Sequence, residues 1–93
     1  MPTTLHEMPT LVNESIVVGV VFAQGRLRPA WFIWRGRRYG QCQATMQWHT
    51  REGATDFLHM SVTDGSNNSY ELVLNQQRLS WRLAAVAGPD GAW

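Results

Sequence analysis

No part of this chain constrains its fold more than the segment from Pro29 to Tyr39, which reads Pro-Ala-Trp-Phe-Ile-Trp-Arg-Gly-Arg-Arg-Tyr. Aromatic and β-branched side chains favour extended backbone, because they suit a pleated, half-buried surface. Gly36 interrupts the apolar run, and glycine accepts the positive φ that the first central position of a type II′ hairpin turn requires. The segment therefore predicts a β-hairpin whose two-residue loop is Gly36-Arg37.

This loop determines which side chains share a face of the hairpin, because residues opposite each other on paired strands lie on the same side. Trp34 would lie opposite Tyr39, and Arg35 opposite Arg38. The residues expected on the core face are Trp31, Ile33, Cys42, Ala44, Met46 and Trp48. The other face would carry Phe32, Trp34 and Tyr39, continued by Gln41, Gln43, Thr45 and Gln47. Gly40 leaves an alternative open, since a bulge there would exchange the faces beyond it.

The rest of the chain reads as short apolar strands separated by turn residues, of which Asp64-Gly65-Ser66-Asn67-Asn68 is the strongest signal. No segment has the period of an amphipathic helix. Strands are expected at residues 16–23, 29–34, 38–49, 57–63, 70–74 and 79–86. This pattern predicts an all-β protein, a single small antiparallel meander bent into a partly closed β-barrel of about six strands.

A chain of 93 residues is long enough for one modest core, so we expect a single β domain from residue 14 to residue 87. Residues 1–13 and 88–93 are expected to be flexible tails, because prolines, glycines and polar residues occur there without a period. The N-terminus lacks the basic and apolar regions of a signal peptide. The longest apolar run is shorter than the roughly 20 residues that cross a membrane. A cytoplasmic protein without a membrane partner is therefore expected.

The charged residues are few, but the arginines are concentrated in one part of the sequence. Charged residues make up 16% of the chain and the net charge is +1, which argues against a bulk electrostatic binder of nucleic acid. One window without Asp or Glu contains Arg26, Arg28, Arg35, Arg37 and Arg38, and the chain has no lysine. Arginine stacks on rings and forks onto phosphate better than lysine does. Codon bias toward arginine in a GC-rich genome is the alternative explanation.

The sequence resembles an uncharacterised family of small bacterial all-β proteins that share the pattern Trp-Arg-Gly-Arg-x-Tyr. The resemblance covers roughly residues 16–86 and rests on Phe32-Ile-Trp34-Arg-Gly-Arg-Arg-Tyr39, Trp48, Phe57-Leu-His59, Tyr70-Glu-Leu72 and Trp81-Arg-Leu83. The third strand departs from it, because Gly40-Gln-Cys-Gln replaces a more hydrophobic run. The resemblance implies an all-β fold and no particular activity. Similar domains near or fused to DNA-damage-tolerance polymerases favour a role with nucleic acid.

The candidate binding residues are those of the hairpin, namely Phe32, Trp34, Arg35, Arg37, Arg38 and Tyr39. Bases stack on aromatic rings and guanidinium groups hold phosphates, so exposed rings beside arginines would suit single-stranded nucleic acid. The alternative is that the same aromatic face contacts a protein partner or a second copy of the chain, as a homodimer. Either way, the pattern predicts a binding module.

The sequence lacks signatures of catalysis, of a metal site and of a cofactor site. The potential ligands His6, Cys42, His49 and His59 do not have the close spacing of zinc ligands. Cys42 is expected in the core, where a thiol is unreactive. The carboxylates lie in or beside loops, or face out from a strand, and no phosphate-binding glycine loop or nucleophile elbow occurs. We therefore expect no enzymatic activity, no metal and no cofactor.

Overall fold

A computed structural model describes residues 10–66 and 68–88 of the chain, which form one seven-stranded antiparallel sheet. Its strands are β1 (Thr10–Ala23), β2 (Arg26–Trp34), β3 (Arg37–Tyr39), β4 (Gln43–Glu52), β5 (Thr55–Thr63), β6 (Ser69–Asn75) and β7 (Ser80–Ala87). Their order across the sheet is β3-β2-β1-β7-β6-β5-β4. The all-β antiparallel class predicted from the sequence is confirmed.

The sheet bends toward a barrel but remains open between β2 and β4. Register shifts interrupt the pairing of β1 with β2, of β1 with β7, of β6 with β7 and of β4 with β5, and such irregularities increase twist and bend strands. At one point the two sides meet, where the Cys42 N–H donates to the Ala30 carbonyl at 3.4 Å. The result is a partly closed barrel with one open side.

A single apolar cluster fills the inside of the bent sheet. Its buried members are Phe32, Leu58, Met60, Val62, Tyr70, Leu72, Leu74, Leu83 and Val86. They come mainly from alternate positions of β5, β6 and β7, because successive side chains of a strand point to opposite faces. Alternation along the sequence puts the three β5 residues of this cluster on one side of their strand and the three β6 residues on one side of theirs, and in the structure both sides face inward. Each such side chain contributes about 1.5–3 kcal/mol when it leaves water, so this cluster is the main source of stability.

The hairpin of β2 and β3 turns one residue earlier than predicted. Arg35 (φ 52°) and Gly36 (φ 77°) form its loop, and positive φ at both positions is the pattern of a type I′ turn. The predicted loop Gly36-Arg37 is therefore wrong, and so is the expected pairing across it. The observed pairs are Phe32 with Tyr39, Ile33 with Arg38 and Trp34 with Arg37.

Within β2 and β3 the two faces are grouped as predicted, but the inside and the outside are exchanged. Cys42, which was expected on the same face as Trp31, packs against the buried cluster. Phe32 is 0% exposed, and Trp34 and Tyr39 pack against the same buried cluster. Trp31 and Ile33, which were expected in the core, therefore face outward. Alternation along a strand shows which residues share a face, but the buried face is chosen by what packs against it. Here that partner is Tyr70 of β6, whose ring meets the Phe32 ring edge-on at 5.0 Å.

The predicted third strand, residues 38–49, is two separate strands. Gln41 has a φ of 55°, far from extended backbone, and it lies between the end of one strand at Tyr39 and the start of the next at Gln43. This break gives seven strands in place of the expected six. In the same way, Leu79 was expected to begin the last strand, but it has a φ of 57° and lies 76% exposed in the preceding turn.

The ends of the domain also differ from the expectation. Residues 10–13 were predicted to be part of a flexible tail, but they extend β1, and Thr10 pairs with Val86. Residues 1–9 and 89–93, which make up most of the two predicted tails, lie outside the described residues.

Substitutions on the two faces of β2 test this orientation. Phe32→Ala should lower the free energy of unfolding by about 3–5 kcal/mol, the usual cost of emptying a buried aromatic site. Trp31→Ala, one position away on the outer face, should lower it by clearly less, because part of that ring is already in water. Urea unfolding followed by circular dichroism measures both. A larger loss at Trp31 than at Phe32 would contradict the assigned faces.

Candidate functional site

Of the aromatic residues proposed from the sequence, Phe32 is buried in the core, and Trp34 and Tyr39 are half-buried against it. The rings of Phe32 and Tyr39 stack with centroids 4.9 Å apart, and Tyr39 meets Tyr70 at 5.6 Å. Trp34 lies 6.1 Å from Tyr39 and is half-buried beside it. Because Phe32 has no exposed surface, no ligand can contact it without unfolding the hairpin. The hypothesis that these three rings bind a ligand is therefore corrected for Phe32, and the other two rings mainly support the core.

Arg35 is bound to a carboxylate of the neighbouring strand β1. Its Nη2 donates to Glu14 Oε2 at 2.6 Å and its Nε donates to Glu14 Oε1 at 3.1 Å. The Trp34 indole N–H donates to the same carboxylate at 2.8 Å. These donors, with Arg35 contributing most, lower the pKa of the Glu14 carboxyl to about 2. Arg35 thus connects the hairpin to β1, and the Glu14 carboxylate already balances the charge of its guanidinium.

Arg37 and Arg38 are the two predicted site residues that remain open to solvent with no carboxylate partner among the described residues. The Arg37 guanidinium lies 5.2 Å from the Tyr39 ring centroid, and the Arg38 guanidinium lies 5.3 Å from the Trp31 ring centroid. A guanidinium over a ring is held by the cation–π attraction while its N–H groups point away toward solvent. Both groups are therefore positioned to receive an anion.

Trp31 is the site residue that sequence reasoning missed, because it was assigned to the core. Its ring covers Gly19 of β1 so closely that a Cβ added to Gly19 would lie 2.1 Å from the ring. Arg38 covers the ring as well. The outer surface thus has a packed group of three residues, Gly19, Trp31 and Arg38. In this group the edge of the Trp31 ring lies next to the Arg38 guanidinium. A glycine inside an apolar strand often marks such a close approach and was the available signal.

The charges on the outer surface are segregated across the sheet. On β1, β2, β3 and β7, the charged residues that alternation and pairing place on the outer side are Arg26, Arg28, Arg38 and Arg82. The described part of these four strands has no outward carboxylate, since Glu14 points inward to Trp34. The next carboxylate across the sheet is Glu71 of β6, which pairs with His59 at 3.3 Å. We call the outer side of β1, β2, β3 and β7 the arginine face.

The centre of the arginine face is apolar. Val17 is 58% exposed and Val21 is 41% exposed, and the half-buried Trp31 and Ile33 lie on the neighbouring strand. An exposed apolar patch bordered by charged groups of one sign is typical of an interaction surface. Flat and apolar ligand groups would fit the centre, and anionic groups would fit the border.

Besides the arginines, the reactive side chains of the described residues include the Cys42 thiol and the group around His59. Burial raises the pKa of the Cys42 thiol, so this group is poorly nucleophilic. His59 connects Thr50 Oγ1, at 2.7 Å, with Glu71 Oε2, at 3.3 Å, and its ring stacks on the Trp48 ring at 5.1 Å. In the part of the chain that the structure describes, no three His, Cys, Asp or Glu residues come together to hold a metal ion.

Comparison with known proteins does not assign this chain to a family. No family model, no curated protein and no solved structure matches this chain. Residues 10–66 and 68–88 contain no helix that is long and apolar enough to cross a membrane. The geometry of the described residues is therefore the basis for the function proposed below.

The pair of Glu14 and Arg35 predicts a specific acid sensitivity. The folded-state pKa of Glu14, about 2, lies below its ordinary value of 4.5, so the pair stabilises the fold fully above about pH 4.5. This contribution is lost as the pH falls from 4.5 toward 2. Glu14→Gln keeps an acceptor for Trp34 but removes the charge. It should be less stable than the wild type at pH 7, and its stability should fall less between pH 5 and pH 2.

Urea unfolding at a series of pH values measures this difference, with Glu52→Gln as the control, since Glu52 is an exposed residue at the end of β4. If Glu14→Gln and the wild type lose stability in parallel over the acid range, the ion pair does not hold the hairpin as described.

Proposed function

We propose that this protein is a non-enzymatic, cytoplasmic binding module whose arginine face binds single-stranded nucleic acid. The observation that supports this most is the segregation of charge, because the outward charged residues of four adjacent strands are all arginines. They border an apolar centre that contains an aromatic ring. Single-strand binding surfaces combine these two elements, a positive path for the backbone and flat groups on which bases stack.

The dimensions of the face agree with a short single-stranded site. Arg26 and Arg28 lie on β2, and Arg38 lies opposite Ile33 near the other end of that strand. At about 3.3 Å per residue, the distance from residue 26 to residue 33 is roughly 23 Å. This length suits about four nucleotides, the lower end of the range for small barrels. Bases would contact the Trp31 edge and the plane of the Arg38 guanidinium, and phosphates would contact the bordering arginines.

A protein partner, or a second copy of the chain bound as a homodimer, is the alternative occupant of the same face. The exposed Val17 and Val21 favour it, since apolar side chains on a sheet surface are typical of protein contacts. A two-fold dimer through this face would, however, bring its arginines toward those of the other copy, and like charges across an interface are unfavourable. Nucleic acid satisfies both the charge and the apolar centre.

Titration with an oligothymidine, followed by tryptophan fluorescence, tests the proposal. The wild type should bind and its emission should decrease, and the logarithm of affinity should fall with the logarithm of salt concentration with a slope near −2, as expected for about three phosphates. Arg28→Ala/Arg38→Ala, which removes two charges of the arginine face, should bind at least about tenfold more weakly with a shallower slope, because phosphate contacts are lost. Unchanged emission at low salt would remove the proposal.

The matched control is Arg51→Ala/Arg78→Ala, which removes the same charge at the opposite end of the sheet. Arg51 is at the end of β4 and Arg78 is in the turn between β6 and β7. This variant should keep most of the affinity. If it loses as much as the hairpin variant, the binding is not localised to the arginine face. A salt-independent dimer in sedimentation experiments would favour the alternative occupant.

A further inference from the structure

The open side of the barrel is a seam between the edges of β2 and β4. In the described part of the chain, no strand pairs with these two edges along most of the seam. β3 covers only the last three residues of β2, from Phe32 to Trp34. β4 pairs with β5 on one side only. Beyond the contact of Cys42 with Ala30, the edges separate, and the Gln47 side chain bridges them by donating from Nε2 to the Leu27 carbonyl at 3.4 Å. Since a side chain is needed to span it, the gap there is wider than one strand spacing, about 4.8 Å.

The pairing of β4 with β5 shows which backbone groups of β4 face the seam. The loop Gly53-Ala54 has two residues, so the closing pair, Glu52 with Thr55, is hydrogen-bonded. Hydrogen-bonded and non-hydrogen-bonded pairs then alternate along an antiparallel ladder. The non-hydrogen-bonded pairs contain Arg51, His49 and Gln47. The backbone N–H and C=O groups of these three residues therefore point into the seam. These groups form a regular row that a further strand could pair with.

The same alternation applies to β2, on the other side of the seam. Its closing pair with β1 is Ala23 with Arg26, so the backbone groups of Leu27 and the carbonyl of Pro29 face the seam. The observed bond from Gln47 to the Leu27 carbonyl agrees with this assignment. Pro29 has no N–H to donate, so the β2 edge is the poorer template and β4 is the better one.

The seam encloses a cleft of about 1020 Å³ with a definite chemical character. Its apolar lining includes Phe22, Leu27, Leu58 and Leu74, and its polar lining includes glutamines and threonine of β4 and the turn after β6. Arg26, Arg28 and His49 supply the ionisable groups besides the thiol of Cys42, and none of the Asp and Glu residues within 10–66 and 68–88 lines the cleft. An occupant should therefore carry apolar groups toward the barrel interior and negative charge toward the β2 side.

We propose that the seam binds an extended peptide with alternating apolar and acidic side chains, which adds to the edge of β4 as a further strand. The peptide backbone would pair with Gln47, His49 and Arg51. Its apolar side chains would enter the cleft, and its carboxylates would meet Arg26 and Arg28. In strand addition, main-chain hydrogen bonds supply affinity and alternate side chains supply specificity.

Other occupants fit the seam less well. Nucleic acid has no regular row of N–H donors to match the carbonyl groups of Gln47, His49 and Arg51. A second copy that pairs through its own β4 would present a strand whose one acidic residue is Glu52. It would therefore not match the positive charge of Arg26 and Arg28. An acidic peptide supplies both the donors and the charge.

The test is a titration of the ¹⁵N-labelled chain with the synthetic peptide acetyl-Glu-Val-Glu-Val-Glu-Val-Glu-amide, followed by amide NMR spectra. The amide signals of Gln47, His49 and Arg51 should move downfield and their hydrogen exchange should slow. The same peptide with Lys in place of Glu should bind at least about tenfold more weakly, because the charge complementarity is reversed. Absence of shifts at these three amides would overturn the proposal.

A proline at position 49 separates the backbone contact from the side-chain contact. The His49 N–H is outside the ladder with β5, so His49→Pro removes a donor to the peptide without removing a bond of the sheet. It should weaken binding about tenfold, which corresponds to one average hydrogen bond, whereas His49→Ala should stay within about twofold of the wild type. Equal binding by both variants would show that the β4 edge is not the template.

A second probe does not depend on how the proline variant folds. The same peptide, N-methylated either at its valines or at its glutamates, should fail to bind in one of the two versions, because alternate N–H groups face β4. Binding by both versions, or peptide-induced shifts confined to Trp31 and Gly19, would overturn the proposal. Arg37 and Arg38 do not line the cleft, so Arg37→Ala/Arg38→Ala should keep its affinity for the peptide even if the nucleic-acid proposal fails.

Discussion

The structure depends on the packing of one aromatic group across the inside of the sheet. The Phe32 ring stacks on Tyr39 and meets Tyr70 edge-on, which joins the hairpin of β2 and β3 to the far half of the sheet. The Tyr70 hydroxyl in turn donates to Asp64 at 2.7 Å, in the turn before β6. Because these rings occupy the interior, alternation forces Trp31 and Arg38 to the outside. The arginine face is therefore a consequence of core packing, and not of any property of the arginines themselves.

Much of the fold could be predicted from the sequence, and three of the errors fall at one kind of position. The inward rows of β5 and β6 follow from a clear alternation of apolar and polar residues, so they were readable. The misplaced loop, the divided third strand and the shifted start of the last strand coincide with positive φ at Arg35, Gln41 and Leu79. Residues other than glycine rarely adopt this conformation, and the contacts that hold them there come from distant parts of the chain. Arg35, for example, is held by Glu14 of β1.

Only part of the candidate site could be predicted from the sequence, for a related reason. The concentration of arginines can be read from the sequence, but the sheet places these arginines in different environments. Arg35 is bound to Glu14, while Arg28 and Arg38 lie on the outer face. Trp31 was assigned to the interior, because a hairpin pattern has two equivalent faces until a third element covers one of them. The packing of Tyr70 of β6 against Phe32 decides that choice, and no local pattern encodes it.

The open seam is the least expected feature, because proteins usually protect long strand edges with proline, bulges, lysine or a covering element. β2 follows this rule with Pro29 at its free edge. β4 follows it only near its ends, where it has a register shift and the charged residues Arg51 and Glu52. Its one register shift lies between Ala44 and Met46, and nine of its ten residues are exposed. From Met46 to Glu52 the edge is regular, has no proline and borders a cleft with positive charge on its far side. An unprotected edge of this length would promote aggregation unless it has a partner, so a function in strand binding explains why it is left open.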